Sequence, residues 1–367
     1  MNKAYRFRIY PDRKQEEMLA KTFGCCRFLY NIMLEDKIKE YKASKKMLKN
    51  TPAQYKKQFP WLKEVDSLAL ANVQLHLETA YKNFFRDPKI GFPKFKSKHR
   101  SVNSYTTNVV NGNIRLEDGK LKLPKMTAIK IKQHREAPAG YRLKSVTVSR
   151  EPSEKYYASL LYEYAADENQ AAGKKIEEDK ILGIDYAMTG MAVLSNGSRC
   201  EYPSYYKQAE KKLGREQRKL SKCVKGSRNY QKQKKKVAMC HEKVRNQRKD
   251  YHHKLSRKLA DRYDAVAVED LNMKAMGQCL NLGKGIMDNG YGMFQNMLEY
   301  KMKEQGKAFV RIGKFYPSSK TCSRCGRVKE HLGLSERMYI CECGNRMDRD
   351  VNAAINIREE GKRILCA

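Results

Sequence analysis

The chain has 367 residues, enough for two or three domains that each bury a core of their own. With 41% hydrophobic residues it is not disordered as a whole. Its 76 Lys and Arg against 41 Asp and Glu leave a net charge of +35, which opposes compaction and calls for a polyanionic partner, nucleic acid ahead of an anionic membrane.

Residues 1–10, "MNKAYRFRIY", alternate in polarity and predict a strand. The opening carries no signal-peptide pattern, and no apolar run reaches the roughly 20 residues of a spanning helix. A soluble, intracellular protein without a membrane partner is therefore expected. A helix follows the strand, with Asp12 as its expected N-cap. Within it, Cys25 and Cys26 are adjacent, a spacing that suits small core residues better than metal ligands. A second helical run covers about 66–85, with Leu68, Ala71, Val73, Leu75, Leu77 and Tyr81 as its apolar positions. The stretch after it, "RDPKIGFPKFKSKHRSVNSYTTN", is basic, broken by prolines and interleaved with aromatics. It suits a phosphate backbone with bases stacked beside it, and Lys94, Lys96 and Lys98 are its candidate contacts.

Several β-like runs fill residues 114–165, with "EDGK" as a hairpin turn signal, and with the first strand they predict a small β-barrel. Residues 166–180 are polar and aperiodic, which predicts a linker between domains. "ILGIDYAMTGMAVLSNGSRCEYP" then reads as two strands joined by a turn. Residues 207–262 read as a long helical pair broken near "KGSRNY", with 21 Lys and Arg against 5 Asp and Glu. Leu213, Leu220, Val237, Val244 and Tyr251 mark its packed stripe. Arg215 and Arg218 are candidate nucleic-acid contacts on its basic face. No tandem repeat, helix-turn-helix or finger array is evident.

Acidic residues stand out in so basic a chain. Asp185 follows four mostly apolar residues, an acid near the middle of an apolar strand. Ionised carboxylates are seldom buried without a partner, so either it lies at the strand's surface end or it binds a cation. "DAVAVEDLNM" delivers Glu269 and Asp270 at the end of a second strand, and "DRDVNAAINI" opens a helix with Asp348 and Asp350. Singly, each is a cap or a surface charge. Together they suit a two-metal nuclease centre, because Mg²⁺ prefers carboxylate oxygen and two ions can serve both sides of a phosphodiester. On the residues alone, Glu269 or Asp270 and Asp348 or Asp350 stay open.

The cysteine count is odd and lacks a disulfide framework, which fits a reducing compartment. Cys200, Cys223, Cys240, Cys279 and Cys366 are scattered. Cys322, Cys325, Cys341 and Cys343 form C-x₂-C, a 15-residue gap and C-x-C, a closed four-thiolate site for one structural Zn²⁺. His331 between the pairs is expected to be exposed. A knuckle this short folds on its metal, and it ends just before Asp348, so zinc would fix the chain entering the acidic helix. Thiolate takes zinc and carboxylate takes magnesium.

The order "GIDYAMTGMAV", "VAVEDLN", "FYPSSKTCSRCG", "CECG" and "DRDVNAAINI", behind "YRFRIYPDRKQEEML", "CCRFLYN" and "FPKFKSK", resembles the TnpB family of insertion-sequence RNA-guided nucleases, related to the type V CRISPR effectors. The second cysteine pair is one residue shorter than the commoner C-x₂-C. The resemblance implies an α/β multidomain protein. A RuvC-like nuclease domain of RNase H-like fold would occupy 181–367, with the basic pair at 207–262 and a zinc ribbon at 320–346. An N-terminal β-barrel over 1–165 would carry a helical recognition lobe at about 11–110. It further implies Asp185, Glu269 and Asp350 as catalytic Mg²⁺ ligands for two ions. Asp350 is preferred over Asp348 because it precedes the Val351-Asn352 pair. Thr107 and Asn108 would face the short motif beside the target. The implied partners are a guide RNA from the element's own 3′ region and a DNA target, double- and single-stranded, in a prokaryotic cytoplasm at the nucleoid. A monomer on RNA is expected, since no dimer stripe is evident. The rivals are a nuclease-dead RNA-guided binder, a transposase acting directly on DNA ends, and a zinc-ribbon RNA-binding protein without catalysis.

Overall fold

The computed structural model describes residues 1–367 except 99–101, 166–175, 189, 280–282, 334 and 367. The chain divides into two compact units, Met1–Ala166 and Asp167–Ala367. Residues 166–175 of the expected linker lie outside the described residues.

The first unit joins helices to a seven-stranded sheet. Strand β1 (Asn2–Tyr10) turns Tyr5, Phe7 and Ile9 into the core. Helix α1 (Arg13–Ser44) starts at a reciprocal cap: the Gln15 backbone N–H donates to Asp12 Oδ1 at 2.9 Å, and the Asp12 N–H donates to Gln15 Oε1 at 2.9 Å. Cys25 and Cys26 are buried in this core. After α2 (Pro52–Gln58) comes α3 (Ser67–Arg86), whose buried apolar face is Ala69, Leu70, Val73, Leu77 and Tyr81. The positions expected from sequence are corrected here. Ala71 and Leu75 are exposed, because a three- and four-residue stride from Leu70 leads past them.

Strands β2 (Asn103–Asn108), β3 (Arg115–Glu117), β4 (Lys120–Lys122), β5 (Ile129–Lys132), β6 (Arg142–Arg150) and β7 (Tyr156–Glu163) complete the antiparallel sheet in the order β2-β6-β7-β1-β5-β4-β3. The expected hairpin turn is present, with Asp118 and Gly119 both at positive φ. The hydrogen-bonded order has two ends, β2 and β3, which do not pair with each other among the described residues.

The second unit is built on a five-stranded sheet. Residues 181–200 form three strands instead of the two expected: β8 (Ile181–Tyr186), β9 (Ala192–Leu194) and β10 (Arg199–Cys200). A tight turn at Gly197 (φ +82°), where Gly197 N–H donates to Leu194 O, splits off the third. The basic pair is α4 (Tyr205–Ser221) and α5 (Arg228–Arg262), joined where Gln233 donates to the backbone oxygen and carboxylate of Glu216. Then come β11 (Ala265–Glu269), α6 (Met273–Cys279), α7 (Gly283–Asn289), α8 (Tyr291–Glu304) and β12 (Ala308–Ile312). A two-stranded ribbon, β13 (Met338–Ile340) and β14 (Arg346–Asp348), leads into α9 (Arg349–Cys366). The sheet order is β10-β9-β8-β11-β12, with β8, β11 and β12 parallel and β9 and β10 antiparallel.

Helix α9 lies directly on this sheet. A Cβ added at Gly183 would sit 2.1 Å from Ala354 O and 2.6 Å from Arg358 N, and one at Gly361 would sit 2.4 Å from Ala267 Cβ. Glycine on the strand and glycine on the helix are what permit this spacing.

Gly183→Ala is therefore expected to push backbone against backbone and cost about 1–3 kcal/mol, or about 2–4 °C of Tm per kcal/mol in a unit of this size. Gly214→Ala, in a helical position where an added Cβ meets nothing within 4 Å, should instead stabilise slightly. Thermal denaturation of the two variants checks both signs.

Candidate active site and metal centre

Strand register assembles the acids. Asp185 pairs with Val193 across β8 and β9, and Val193 pairs with Arg199 across β9 and β10. On the other side, Ile184 pairs with Val268 in parallel, so the next positions, Asp185 and Glu269, are neighbours at the carboxyl ends of β8 and β11. Side chains two apart on a strand share a face. Gly183 and Ala267 face α9, so Asp185 and Glu269 do too. Asp350 lies in the first turn of α9, one turn before Ala354, and that helix crosses the same face.

The electrostatics bring the other two acids to bear on Asp185. The Asp185 carboxyl is driven well above the usual carboxylate range, first by burial and then by the negative charges of Glu269 and Asp350. Burial also raises Glu269, partly offset by the Ser318 hydroxyl, which donates to its Oε1 at 2.5 Å. Asp348 is used differently. Its Oδ1 accepts from the backbone N–H groups of Asp350 and Val351 at 3.0 and 3.1 Å, capping α9, and its Oδ2 lies 2.7 Å from Arg199 Nη2. Asp270, beyond the end of β11, is exposed.

The four cysteines form the second centre. Their sulfurs all lie within 4.8 Å of one another, with Cys322–Cys343 and Cys325–Cys341 at 3.7 Å. A tetrahedron with Zn–S bonds of about 2.3 Å has an S–S edge of about 3.8 Å, so this donor set fits zinc. Burial pushes the Cys322 thiol up, but the Cys325 and Arg324 N–H groups and the Asn345 amide outweigh it and bring it down to about 6. His331 is exposed, as expected.

Sequence reading passed over the residues that join the two centres. Asn352 and Asn356 are buried on α9, one turn apart. Asn352 donates to Thr321 O at 2.7 Å and accepts from the Ser323 N–H at 3.0 Å. Asn356 donates to Ser318 O at 2.7 Å and to Thr321 O at 2.6 Å. The loop that starts the zinc knuckle is thus tied to the helix of Asp350, and its Ser318 holds Glu269. The available signal was a pair of asparagines at i, i+4 on the apolar face of an amphipathic helix.

The expected nucleic-acid contacts fall into two groups. Lys94, Lys98, Arg215 and Arg218 are exposed, and Asn108 is half-buried. Thr107 is corrected: it is fully buried and its hydroxyl is bonded to Asp66, the N-cap of α3, so it offers nothing to a ligand. The Lys96 ammonium is also tucked in, 4.0 Å over the Tyr30 ring, and burial lowers its pKa.

Comparison with known proteins places this architecture. Residues 159–279 match the OrfB_IS605 family, described as "Probable transposase", and residues 291–357 match a family described as "Cas12f1-like, TNB domain". A protein of Streptomyces pristinaespiralis named "Putative RNA-guided DNA endonuclease" is 33% identical over 371 residues, covering 98% of this chain and 90% of the relative. The chain belongs to the TnpB family. A relative in Escherichia coli K12, "Putative RNA-guided DNA endonuclease InsQ", is 28% identical over 99% of this chain and 93% of that one. Among solved structures, a Cas12f1 chain from a complex with sgRNA and target DNA matches at a TM-score of 0.59, with 15% identity and 98% of each chain covered, a likeness of fold. A third family, described as "Helix-turn-helix domain", matches residues 1–46, but here that span of the TnpB-family fold is strand β1 followed by the continuous 32-residue helix α1.

Two measurements check the site. Asn356→Ala leaves Ser318 O and Thr321 O without this donor and should cost about 1–3 kcal/mol in Tm measurements. Asp185 and Glu269 bind protons more tightly folded than unfolded, so in the absence of divalent cations each lowers stability as pH rises above the unfolded carboxylate range. Asp185→Asn should therefore raise the Tm of the protein without added divalent cation at pH 7–8, with the gain fading toward about pH 4.

Proposed function

We propose that this chain is an RNA-guided DNA endonuclease encoded by an insertion sequence, cutting DNA by hydrolysis with a RuvC-type centre. The observation that carries the reading is the convergence of Asp185, Glu269 and Asp350 on the face covered by α9, inside a chain of net charge +35. The donors are all hard carboxylate oxygens, which suits two Mg²⁺. When bound, such a pair supplies an activated water and stabilises the leaving oxygen of the phosphodiester. Asp185, whose carboxyl feels the charge of both other acids, would be the shared ligand. Ser318 orients Glu269, and α9 presents Asp350 while Asp348 holds the helix end.

Within this reading the second unit is an RNase H-like domain interrupted by the basic pair and the zinc ribbon, and zinc there is structural. The first unit is a wedge-like barrel carrying a helical recognition lobe. Lys94, Lys98, Asn108, Arg215 and Arg218 are proposed to grip nucleic-acid backbone in the prokaryotic cytoplasm. Sequence reading is delegated to base pairing with an RNA from the 3′ region of the element, and the protein checks a short motif beside the target. The relatives named as RNA-guided endonucleases support this, as does the Cas12f1-like fold. Among the described residues no helix is long and apolar enough to cross a membrane.

The chain expressed with the DNA flanking its gene should co-purify with one defined RNA overlapping or following the 3′ end of the coding sequence, read by sequencing. Asp185→Ala should abolish cleavage while leaving RNA binding nearly intact, because affinity comes from many phosphate contacts elsewhere. Asp350→Asn should be far more damaging than Asp348→Asn. Site-specific cutting by RNA-free protein would overturn the guided reading and favour a transposase acting on DNA ends.

A further inference from the structure

The acids already face a cation of the chain itself. Arg199 Nη2 is 2.7 Å from Asp348 Oδ2, and its Nη1 is 3.6 Å from Asp350 Oδ2. Strand register puts it there. Arg199 stands on the edge strand β10 in the same cross-strand row as Val193 and Asp185, so its side chain leaves the sheet on the face that carries the acids. Val193, between them, is fully buried and keeps the two side chains two strands apart. The guanidinium reaches the first turn of α9 instead. Asp348 anchors it with the oxygen not used in the helix cap, which leaves the second arm of the fork for Asp350.

We propose that Arg199 is a positioning residue that competes with the divalent cation for Asp350. Without a cation, three carboxylates repel one another across the end of the sheet, and Arg199 neutralises the one carried by the helix. When a cation binds Asp350, it must share that carboxylate with the guanidinium or displace it. Arg199 thus holds the site assembled when empty and raises the cation concentration needed to fill it. The inference rests on the reading of Asp185, Glu269 and Asp350 as metal ligands. The ion pair is partly solvent-exposed, with 43% of the Arg199 side chain and 22% of that of Asp350 accessible, so its effect is modest and salt-sensitive.

The test is Mn²⁺ binding, followed by paramagnetic resonance on the full-length chain freed of nucleic acid and retaining its zinc, with Asp185→Asn as the background. Arg199→Gln should bind Mn²⁺ about two- to fivefold more tightly than wild type, the factor matching loss of an exposed ion pair. Arg199→Lys, which keeps the charge, should stay near wild type. The gap between Gln and wild type should shrink as salt rises from about 0.05 to 0.5 M, since screening removes the competition. Unchanged or weaker Mn²⁺ binding in Arg199→Gln, or a gap indifferent to salt, overturns the proposal while leaving the metal site in place. Equal binding by wild type and Asp185→Asn overturns the assignment of the acids, and this inference with it.

Discussion

Everything at the proposed catalytic centre depends on how closely one C-terminal helix approaches the central sheet. At Gly183 and Gly361, α9 and the strands touch with no room for a side chain. That contact sets the height and direction of the helix over β8 and β11. Asp350 is then delivered to the carboxyl ends of the two strands that carry Asp185 and Glu269. Carboxylates brought together in this way lose water and repel one another, and both effects raise the proton affinity of Asp185, burial first. The sheet, the helix and the glycines between them hold together a charge arrangement that would otherwise spread apart.

The cysteine centre reinforces the same geometry from the other end of the helix's first turns. A knuckle bounded by short strands has little core, with Cys322, Tyr339 and Cys341 as its buried cluster. Metal ligation is the natural source of its order. Asn352 and Asn356 carry that order into α9, and Ser318 carries it to Glu269. A soft-ligand site and a hard-ligand site thus lie side by side because one fixes the backbone on which the other depends. Charge runs through the rest of the unit in the opposite sense. The α4–α5 pair buries one stripe, including Leu213 and Val244, and leaves most of its lysines and arginines in water, where an anionic polymer can reach them.

Much of this was legible in the residues. The N-cap at Asp12, the break between the basic helices, the Asp118–Gly119 hairpin and the four cysteines each follow from local chemistry: a side chain that meets a backbone group a few residues away, or a spacing that fits one metal. The acids Asp185, Glu269 and Asp350 were visible as misfits, charges in apolar strands or at a helix start, and the family resemblance chose among them. The exposed face of α3 was misjudged because its apolar residues outnumber those its packing uses.

What only the tertiary structure decided is which groups meet across long stretches of chain. Arg199 lies 149 residues from Asp348 in sequence, and Asn356 lies 38 from Ser318; no local rule relates such pairs. Thr107, which the resemblance implied would face the motif beside the target, is buried with its hydroxyl on Asp66, 41 residues away in sequence. The sequence by itself determined the inventory and the local turns, since those depend on neighbours within a few residues. Register and helix docking decided the rest, because a strand places its side chains on one face or the other only once its partners are fixed.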